Sequence, residues 1–233
     1  MKEILIQLER INAMGYSSYS IFDDWLDLML FALTSDEENY LKVVNKYNNE
    51  REPGIRPVDY FKNAFHLLMS YMKETNDEVL GEIYMSWNIS NKYSGQFFTP
   101  KNIARFMALI SKPHGLINDP TCGSGIMLVE ACKAMDFDEL DAALFVGQDI
   151  DNTCFKMTAL NMLFFNLNAL IIWSDTLKME YYKAYQTRRT HQGGTIRLLS
   201  DQELEKLKPE FRKITESNKI PSELIQQLQL FNN

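Results

Sequence analysis

The sequence predicts an α/β fold in which an α-helical domain precedes a partial Rossmann-like sheet. Residues 1–90 repeat apolar side chains at helical spacing, whereas strand-like and helix-like runs alternate from about residue 96. Strands that alternate with helices form parallel β-α-β units with right-handed crossovers. We therefore predict a helical domain at 1–94, an α/β domain at 95–177, and a basic loop with C-terminal helices at 178–233.

Three amphipathic helices are predicted in the N-terminal domain. Their apolar faces carry Phe22, Trp25, Leu26, Met29 and Leu33 in residues 20–33, Phe61, Phe65, Leu68 and Met72 in residues 59–74, and Val79, Leu80, Ile83 and Tyr84 in residues 77–87. The segment REPGIRP at 51–57 separates the first two, because Pro and Gly interrupt periodic structure. Such stripes are typical of bundle core, so His66 is predicted to be packed or solvated.

The α/β domain is predicted to begin with GQFFTP and a helix that has Pro100 in its first turn, a favoured position. Strand-like GLIND, LFVGQD and ALIIWSD then alternate with helix-like IMLVEACKAM and NTCFKMTALNMLFFNL. The alternation stops after Asp175. From there we predict a polar loop at YYKAYQTRRTHQGG, one possible strand at TIRLL, a charged helix with Ser200 and Glu203 at capping-box spacing, and a last short helix at PSELIQQLQLF.

Composition limits the classes of function. The net charge of −7 disfavours a free-standing nucleic-acid binder held by phosphate contacts alone. Three cysteines without CxxC spacing and three scattered histidines indicate neither a disulfide framework nor a metal site. The N-terminus does not resemble a signal peptide, and the longest apolar stretch is too short to span a bilayer. We therefore expect a cytoplasmic, reduced protein with no membrane association.

The stretch NDPTCGSGIML at 118–128 is the strongest functional signal. An apolar run ends in Asp119, a glycine turn follows, and a helix-like run begins at once. This is the outline of a strand, a tight turn and a helix N-terminus, where nucleotide-like ligands bind. A lone GxG also occurs in plain turns. The dinucleotide interpretation is disfavoured, because Leu128 stands where that pattern needs a small residue.

Two carboxylates strengthen the case for a ligand. Asp149 ends the next predicted strand, 24 residues after Gly125, where a carboxylate can accept hydrogen bonds from the two ribose hydroxyls of an adenosine. Asp175 ends the third predicted strand, which is the next position for a ligand contact along the same edge of the sheet.

Four segments in this order and spacing resemble the motifs of a known family. GQFFTP (95–100), DPTCGSG (119–125), GQDID (147–151) and SDTL (174–177) are similar to those of N6-adenine DNA methyltransferases. The resemblance is closest to the modification subunits of type I restriction–modification systems, in which a helical domain also precedes the catalytic domain. It implies a class I methyltransferase sheet, with S-adenosylmethionine or S-adenosylhomocysteine as the cofactor.

The resemblance also implies which residues surround that cofactor. They are Phe98, Thr99, Pro100, Asp119, Pro120, Cys122, Gly123, Gly125, Asp149, Ile150 and Asp175. The first three close over the methionine end, with the Thr99 hydroxyl suited to its carboxylate. Asp119 and the turn from Pro120 to Gly125 surround the methionine and the sulfonium. Cys122 stands at a position in this turn that needs only a small side chain. Asp149 binds the ribose, Asp175 accepts from the adenine amino group, and Ile150 packs near the ring.

The chain departs from the family at the catalytic motif. These enzymes carry a short N/D/S-P-P-aromatic motif that accepts hydrogen bonds from the adenine amino group and stacks on the flipped base. No two of the seven prolines are adjacent, and the nearest imitation, Lys208-Pro209-Glu210-Phe211, lies in the charged helix. We therefore assign no catalytic residue and expect a cofactor-binding regulator or assembly component that does not methylate DNA alone.

Two alternatives remain open from sequence. In the first alternative to this regulator, the chain is half of a split adenine methyltransferase completed by a partner chain. In the second, it is a DNA- or protein-binding scaffold without cofactor. An incomplete sheet favours a protein partner or self-association, because an open edge strand invites pairing.

The segment after Asp175 is the only basic part of the chain. Residues 178–233 contain ten Lys and Arg residues against seven Asp and Glu residues, with tyrosines among them. Basic and aromatic side chains together suit phosphate contact and base stacking, although a solvated loop has the same composition. We predict weak, salt-sensitive DNA contact through Lys183, Arg188, Arg189 and Arg197.

Overall fold

The computed structural model describes residues 1–87 and 97–217, which separate into two compact units, Met1–Phe98 and Thr99–Asn233. The described part of the first unit is helical, as predicted. Its helices are α1 (Lys2–Asn12), α2 (Ser18–Leu33), α3 (Glu37–Val44), α4 (Pro57–Thr75) and α5 (Leu80–Ser86). Residues 88–94 of the predicted helical domain lie outside the described residues.

The core of the first unit follows the predicted apolar faces. Phe22, Trp25 and Met29 of α2 are buried, and the Trp25 indole N–H donates to the Phe61 carbonyl of α4 at 3.3 Å. The prediction was wrong for Leu33, which was placed on the apolar face. It is the last residue of α2 and its side chain is exposed. His66 is exposed on α4, in agreement with a solvated role.

The second unit is an α/β sheet with helices on both faces, which confirms the predicted fold class. Its elements are α6 (Lys101–Ser111), β1 (Leu116–Asp119), α7 (Ile126–Lys133), α8 (Phe137–Ala142), β2 (Leu144–Asp149), α9 (Asn152–Phe164), β3 (Ala169–Asp175), β4 (Glu180–Arg188), β5 (Thr195–Leu198) and α10 (Asp201–Ser217). The five strands lie in the order β1-β2-β3-β4-β5. The first three are parallel, and β4 and β5 run antiparallel to their neighbours.

The two faces of the sheet bury alternate residues of the same strands. Val146, Leu170 and Ile172 pack in one buried cluster with Leu204 and Leu207 of α10. On the other face, Phe155 of α9 stacks on Tyr185 of β4, with 5.2 Å between ring centroids. This packing fixes the register of the parallel strands, so that their carboxyl ends meet at one edge of the sheet.

The prediction of a polar loop at YYKAYQTRRTHQGG was wrong, because most of these residues form strand β4. Ala184, Tyr185, Gln186 and Thr187 are all buried, since β4 lies between β3 and β5 and has helices over both faces. Its polar side chains are satisfied inside the sheet: the Thr187 hydroxyl donates to the Leu167 carbonyl at 2.8 Å. A strand buried on both faces has no alternation of apolar and polar residues, so periodicity did not reveal it.

Two local predictions in the C-terminal part are confirmed. The segment TIRL forms β5, and α10 begins with a reciprocal cap in which the Ser200 N–H donates to Glu203 at 2.8 Å and the Glu203 N–H donates to Ser200 at 3.4 Å. Pro209 lies inside α10, which places the imitation of the catalytic motif on a helix. The predicted helix PSELIQQLQLF lies outside the described residues.

Within residues 1–87 and 97–217, no helix is long and apolar enough to cross a bilayer.

A buried carboxylate ties three segments of the first unit together. Asp24 of α2 accepts hydrogen bonds from the Ser20 hydroxyl at 3.3 Å and the Tyr47 hydroxyl at 2.9 Å, and it pairs with Lys46 at 2.5 Å. Burial, and then the adjacent Asp24 charge, raise the pKa of Tyr47 well above its ordinary value of 10.0. The neutral Tyr47 hydroxyl is therefore part of the folded state at high pH, where an unfolded tyrosine ionises.

We predict that Tyr47→Phe lowers the free energy of unfolding at pH 7 by about 1–2 kcal/mol, because Asp24 loses a donor. A tyrosine whose pKa is raised in the folded state contributes stability below its unfolded pKa and loses it as the pH rises toward the folded value. Urea titrations from pH 7 to 11 should therefore show the wild-type and Tyr47→Phe curves converging above about pH 10. A difference that stays constant over this range would contradict the assignment.

Candidate functional site

The glycine turn connects β1 to α7 in a conformation that needs glycine. Gly123 and Gly125 have φ angles of +57° and +86°, in the left-handed region that side chains disfavour. The Cys122 N–H donates to the Gln148 carbonyl at 2.8 Å, and the Gly125 N–H donates to the Cys122 carbonyl at 2.8 Å. The turn is thus anchored to β2 and closed on itself.

Helix α9 holds this turn from behind through two polar side chains. The Thr158 hydroxyl donates to the Gly123 carbonyl at 2.9 Å, and the Asn161 amide donates to the Ser124 carbonyl at 2.7 Å. A Cβ added to Gly125 would lie 3.1 Å from the Thr158 side chain, so this glycine also allows α9 to approach. Neither α9 residue was predicted from sequence. Their signal was two polar residues three positions apart in the otherwise apolar second half of α9, from Met157 to Phe164.

Asp149 connects the end of β2 to the glycine turn. One carboxylate oxygen accepts the Gly123 N–H at 2.8 Å, and the other accepts the Asp151 N–H at 2.9 Å. Burial raises the pKa of Asp149, and nearby Asp151 and Asp119 charges act in the same direction. Each oxygen retains a lone pair for a further donor, so this half-buried carboxylate is prepared to accept hydroxyl groups.

Asp175 ends β3 beside the same edge. Its Oδ1 accepts the N–H groups of Leu177 and Lys178 at 3.1 and 3.0 Å, and its Oδ2 lies 3.2 Å from the Lys178 ammonium group. These hydrogen bonds, the Lys178 N–H first, hold the pKa of Asp175 below its ordinary value. Ile150 and Leu177 expose apolar side chains in the segments after β2 and β3. The edge therefore offers a charged acceptor and apolar surface.

Thr99 and Asp119 line one cavity of about 380 Å³ between α6, β1 and α7. Asp119 accepts the Thr121 N–H at 3.1 Å, and burial raises its pKa. Pro100 directly precedes α6, and Pro120 is exposed in the turn. Phe98 is the last residue of the first unit, and within that unit it stacks on Tyr84 of α5, with 5.4 Å between ring centroids. Gly95 and Gln96 of the GQFFTP segment lie outside the described residues.

The thiol of Cys122 is buried under the turn and donates to the Thr158 hydroxyl at 3.4 Å. Burial raises its pKa well above its ordinary value, and the Asp149 charge adds to this effect. In the part of the chain that the structure describes, no group of three or more His, Cys, Asp or Glu residues could hold a metal ion.

The residues predicted to contact DNA are spread over β4, β5 and the turn between them. Lys183 is exposed on β4. Arg189 pairs with Asp141 at 2.6 Å and lies over the Phe137 ring at 4.4 Å, and Arg197 pairs with Glu203 at 2.7 Å. Arg189 and Arg197 therefore have structural contacts in the unit, and DNA contact by this set of residues stays a prediction.

We predict that Thr158→Val, which keeps the shape of the side chain, lowers the free energy of unfolding by about 1–2 kcal/mol because the hydrogen bond to Gly123 is lost. It should also speed hydrogen exchange at the Gly125 amide. Thr187→Val is the matched control, because it removes a comparable hydrogen bond in β4. Equal exchange at Gly125 in the two variants would show that Thr158 does not hold the turn.

Comparison with known proteins identifies the family. A model of the family described as N-6 DNA Methylase matches residues 75–192. The type I restriction enzyme MpnII methylase subunit of Mycoplasma pneumoniae is 25% identical over 144 residues, which are 59% of this chain and 24% of that protein. The MjaIX methylase subunit of Methanocaldococcus jannaschii is 26% identical over 112 residues, which are 45% of this chain and 20% of that protein.

Among solved structures, the methyltransferase subunit of a type I restriction–modification system from Streptococcus thermophilus matches with 16% identity and a TM-score of 0.35. The matched region is 70% of this chain and 36% of that subunit. This chain spans about a quarter of the length of the curated relatives it matches. The matched residues include the glycine turn, Asp149 and Asp175, and on the extent of the family match the chain belongs to the N-6 DNA methylase family.

Proposed function

We propose that this chain binds S-adenosylmethionine or S-adenosylhomocysteine at the carboxyl edge of β1, β2 and β3. The observation that carries the proposal is the hydrogen bond from the Gly123 N–H to the Asp149 carboxylate. It joins the ribose acceptor to the glycine turn, so the two parts of an adenosine-binding cleft form one rigid unit. S-adenosylmethionine, when bound, supplies a methyl group made electrophilic by its sulfonium.

The residues present fit such a ligand along the length of the edge. Asp149 has a lone pair free on each oxygen, which matches the two hydroxyls of a ribose. Donation from those hydroxyls favours the charged carboxylate, so ligand binding offsets the cost of burying it. Because protonation removes this acceptor capacity, we expect affinity to fall as the pH drops through the raised pKa of Asp149.

The two ends of the ligand have different partners. Ile150 and Leu177 offer apolar contact to an adenine ring, and Asp175 accepts from its amino group if Lys178 moves aside. At the other end, Thr99 offers a hydroxyl and Asp119 a carboxylate in one cavity, which suit the carboxylate and ammonium groups of a methionine. This assignment puts Pro100 and Pro120 beside the methionine end.

We further infer a regulatory or assembly role in the cytoplasm, without DNA methylation by this chain alone. The 233 residues contain no adjacent prolines and so no Pro-Pro-aromatic motif to orient an adenine amino group. Relatives that match are named as methylase subunits, and they are about four times as long as the matched segment. An assembly with other subunits, and weak contact with DNA, are consistent with these names and with the basic residues of β4 and β5.

We predict that Asp149→Ala weakens S-adenosylmethionine binding by about 1.5–3 kcal/mol, because charge-assisted hydrogen bonds to the ribose are lost. Isothermal titration calorimetry of the purified chain measures the effect. Asp151→Ala is the matched control, since it removes a neighbouring charge and the α9 cap but no ribose acceptor. Absence of heat with the wild-type chain at millimolar ligand would favour the scaffold alternative.

We predict that the purified chain transfers no methyl group to DNA. The assay follows tritium from labelled S-adenosylmethionine into unmethylated DNA, with a complete type I methylase as the positive control. Incorporation by the wild-type chain that disappears in Asp175→Ala would contradict the prediction. The split-enzyme alternative predicts a different result, in which incorporation begins only when a second polypeptide carrying the Pro-Pro-aromatic motif is added.

A further inference from the structure

A cavity of about 620 Å³ lies beside the residues that precede β2 and β3, at the opposite edge of the sheet from Asp149 and Asp175. All of its lining residues belong to the second unit. Asp141 is the single acid among the described residues that line it, so positive charge is in excess there, although the whole chain has a net charge of −7. The aromatic and basic lining residues are Phe137, Arg188, Arg189 and His191.

The segment that carries the basic residues is fixed to the turn between α9 and β3. The Asn166 side chain accepts the Thr190 N–H at 3.0 Å and donates to the Thr190 carbonyl at 2.9 Å. The Asn168 side-chain oxygen accepts the Arg189 N–H at 3.0 Å. Because these bonds order residues 188–191 before any ligand arrives, binding there costs less conformational entropy.

The Arg189 guanidinium is held in place, yet it keeps donors for a ligand. Its Nε donates to Asp141 at 2.6 Å, its Nη1 donates to the Asn166 carbonyl at 3.3 Å, and the group lies 4.4 Å from the centroid of the Phe137 ring. Its Nη2 donates no hydrogen bond to any described residue. A guanidinium has more N–H donors than these two bonds use, in the fork geometry that matches a phosphate or a carboxylate.

Arg188 brings a second guanidinium to the same cavity. Burial, and then the nearby Arg197 charge, lower the pKa of Arg188 below its ordinary value. Arg188 nevertheless stays cationic at neutral pH, because the ordinary pKa of arginine lies far above neutrality. A bound anion would offset both the cost of burying this cation and its repulsion from Arg197.

We propose that this cavity binds the terminal phosphate of a nucleotide. A phosphate monoester carries about two negative charges and several acceptor oxygens, which match the paired guanidinium groups better than the single charge of a carboxylate does. The volume exceeds what a phosphate needs and is in the range of small-molecule sites. Phe137 is 65% exposed, so its ring offers a stacking surface to the attached base.

Two sources carry this chemistry, a free mononucleotide and the 5′-phosphorylated end of a DNA strand. The first is independent of the functions proposed above. The second rests on the DNA contact proposed above and gives that contact a defined position. Because the cavity is away from the carboxyl edge of β1, β2 and β3, neither source depends on S-adenosylmethionine binding.

Isothermal titration calorimetry of the purified chain with thymidine 5′-monophosphate tests the proposal. This nucleotide contains no adenosine, so it is a poor ligand for the proposed cofactor cleft. The expected result is saturable binding that excess S-adenosylhomocysteine does not change, with no binding of unphosphorylated thymidine at the same concentrations. Absence of binding, or displacement of the nucleotide by S-adenosylhomocysteine, would overturn the proposal. Heat from S-adenosylhomocysteine alone tests the cofactor cleft separately.

Two substitutions should change the affinity in opposite directions. Arg188→Gln should weaken binding about tenfold, because charged hydrogen bonds to the phosphate are lost. Asp141→Asn should strengthen it roughly threefold, because the competing carboxylate is removed. Lys206→Gln is the matched control, since Lys206 is exposed on α10 and does not line the cavity. With folding checked by circular dichroism, weaker binding to Asp141→Asn, or equal weakening in Arg188→Gln and Lys206→Gln, would contradict the site.

NMR of the unmodified, ¹⁵N-labelled chain locates the nucleotide without a substitution. Thymidine 5′-monophosphate should shift the Arg189 side-chain Nε–H signal and the amides of Asn168 and Thr190, and leave Gly123 and Asp151 unchanged. The opposite pattern would overturn the proposal.

Competition with a short single-stranded oligonucleotide distinguishes the two sources. If the 5′-phosphorylated strand competes more strongly than the mononucleotide, the site takes a strand end, and weaker competition assigns it to the free nucleotide. Equal competition by the same strand with and without its 5′-phosphate would contradict recognition of a terminal phosphate.

Discussion

The rest of the second unit depends on the hydrogen bonds that Thr158 and Asn161 of α9 donate to the glycine turn. A turn with two left-handed glycines is a high-entropy segment of chain, and on its own it would sample many conformations. Thr158 and Asn161 each bind a carbonyl of the turn from behind, while Asp149 binds an amide from the side of β2. The turn is thereby fixed to both neighbours, and its remaining surface faces the carboxyl edge of the sheet.

Among the described residues β1 has a neighbouring strand on one side only, and the direction in which the sheet grows explains this. After β3 the chain turns back into antiparallel β4 and β5, and α10 then covers one face of these strands. All strands after β3 therefore lie beyond β3, on the side away from β1. The core is therefore closed at the β4 and β5 end of the sheet, where α10 covers one face. At the other end, β1 is the last strand among the described residues. The cofactor site proposed above lies at the carboxyl ends of β1, β2 and β3.

Sequence reasoning was most effective where local rules are strong. The helices of the first unit, the three parallel strands and the Ser200 cap all follow from periodicity, alternation and capping residues. Strand β4 was missed because tertiary contacts on both faces, rather than alternation, stabilise it. The site residues at strand ends were predicted by motif, whereas Thr158, Asn161 and Lys178 act through contacts that only the folded chain brings together. Arg189 was predicted as a DNA contact, but its pairing with Asp141 depends on a neighbour 48 positions away.

The central claim is that the carboxyl edge of β1, β2 and β3 is a cofactor cleft, and amide chemical shifts test it most directly. A ¹⁵N-labelled sample is titrated with S-adenosylhomocysteine and followed by two-dimensional NMR. The account predicts saturable shifts at Gly123, Gly125, Asp151 and Leu177, with the amides of β5 and α10 unchanged. Unchanged spectra at millimolar ligand, or shifts confined to residues away from this edge, would contradict it.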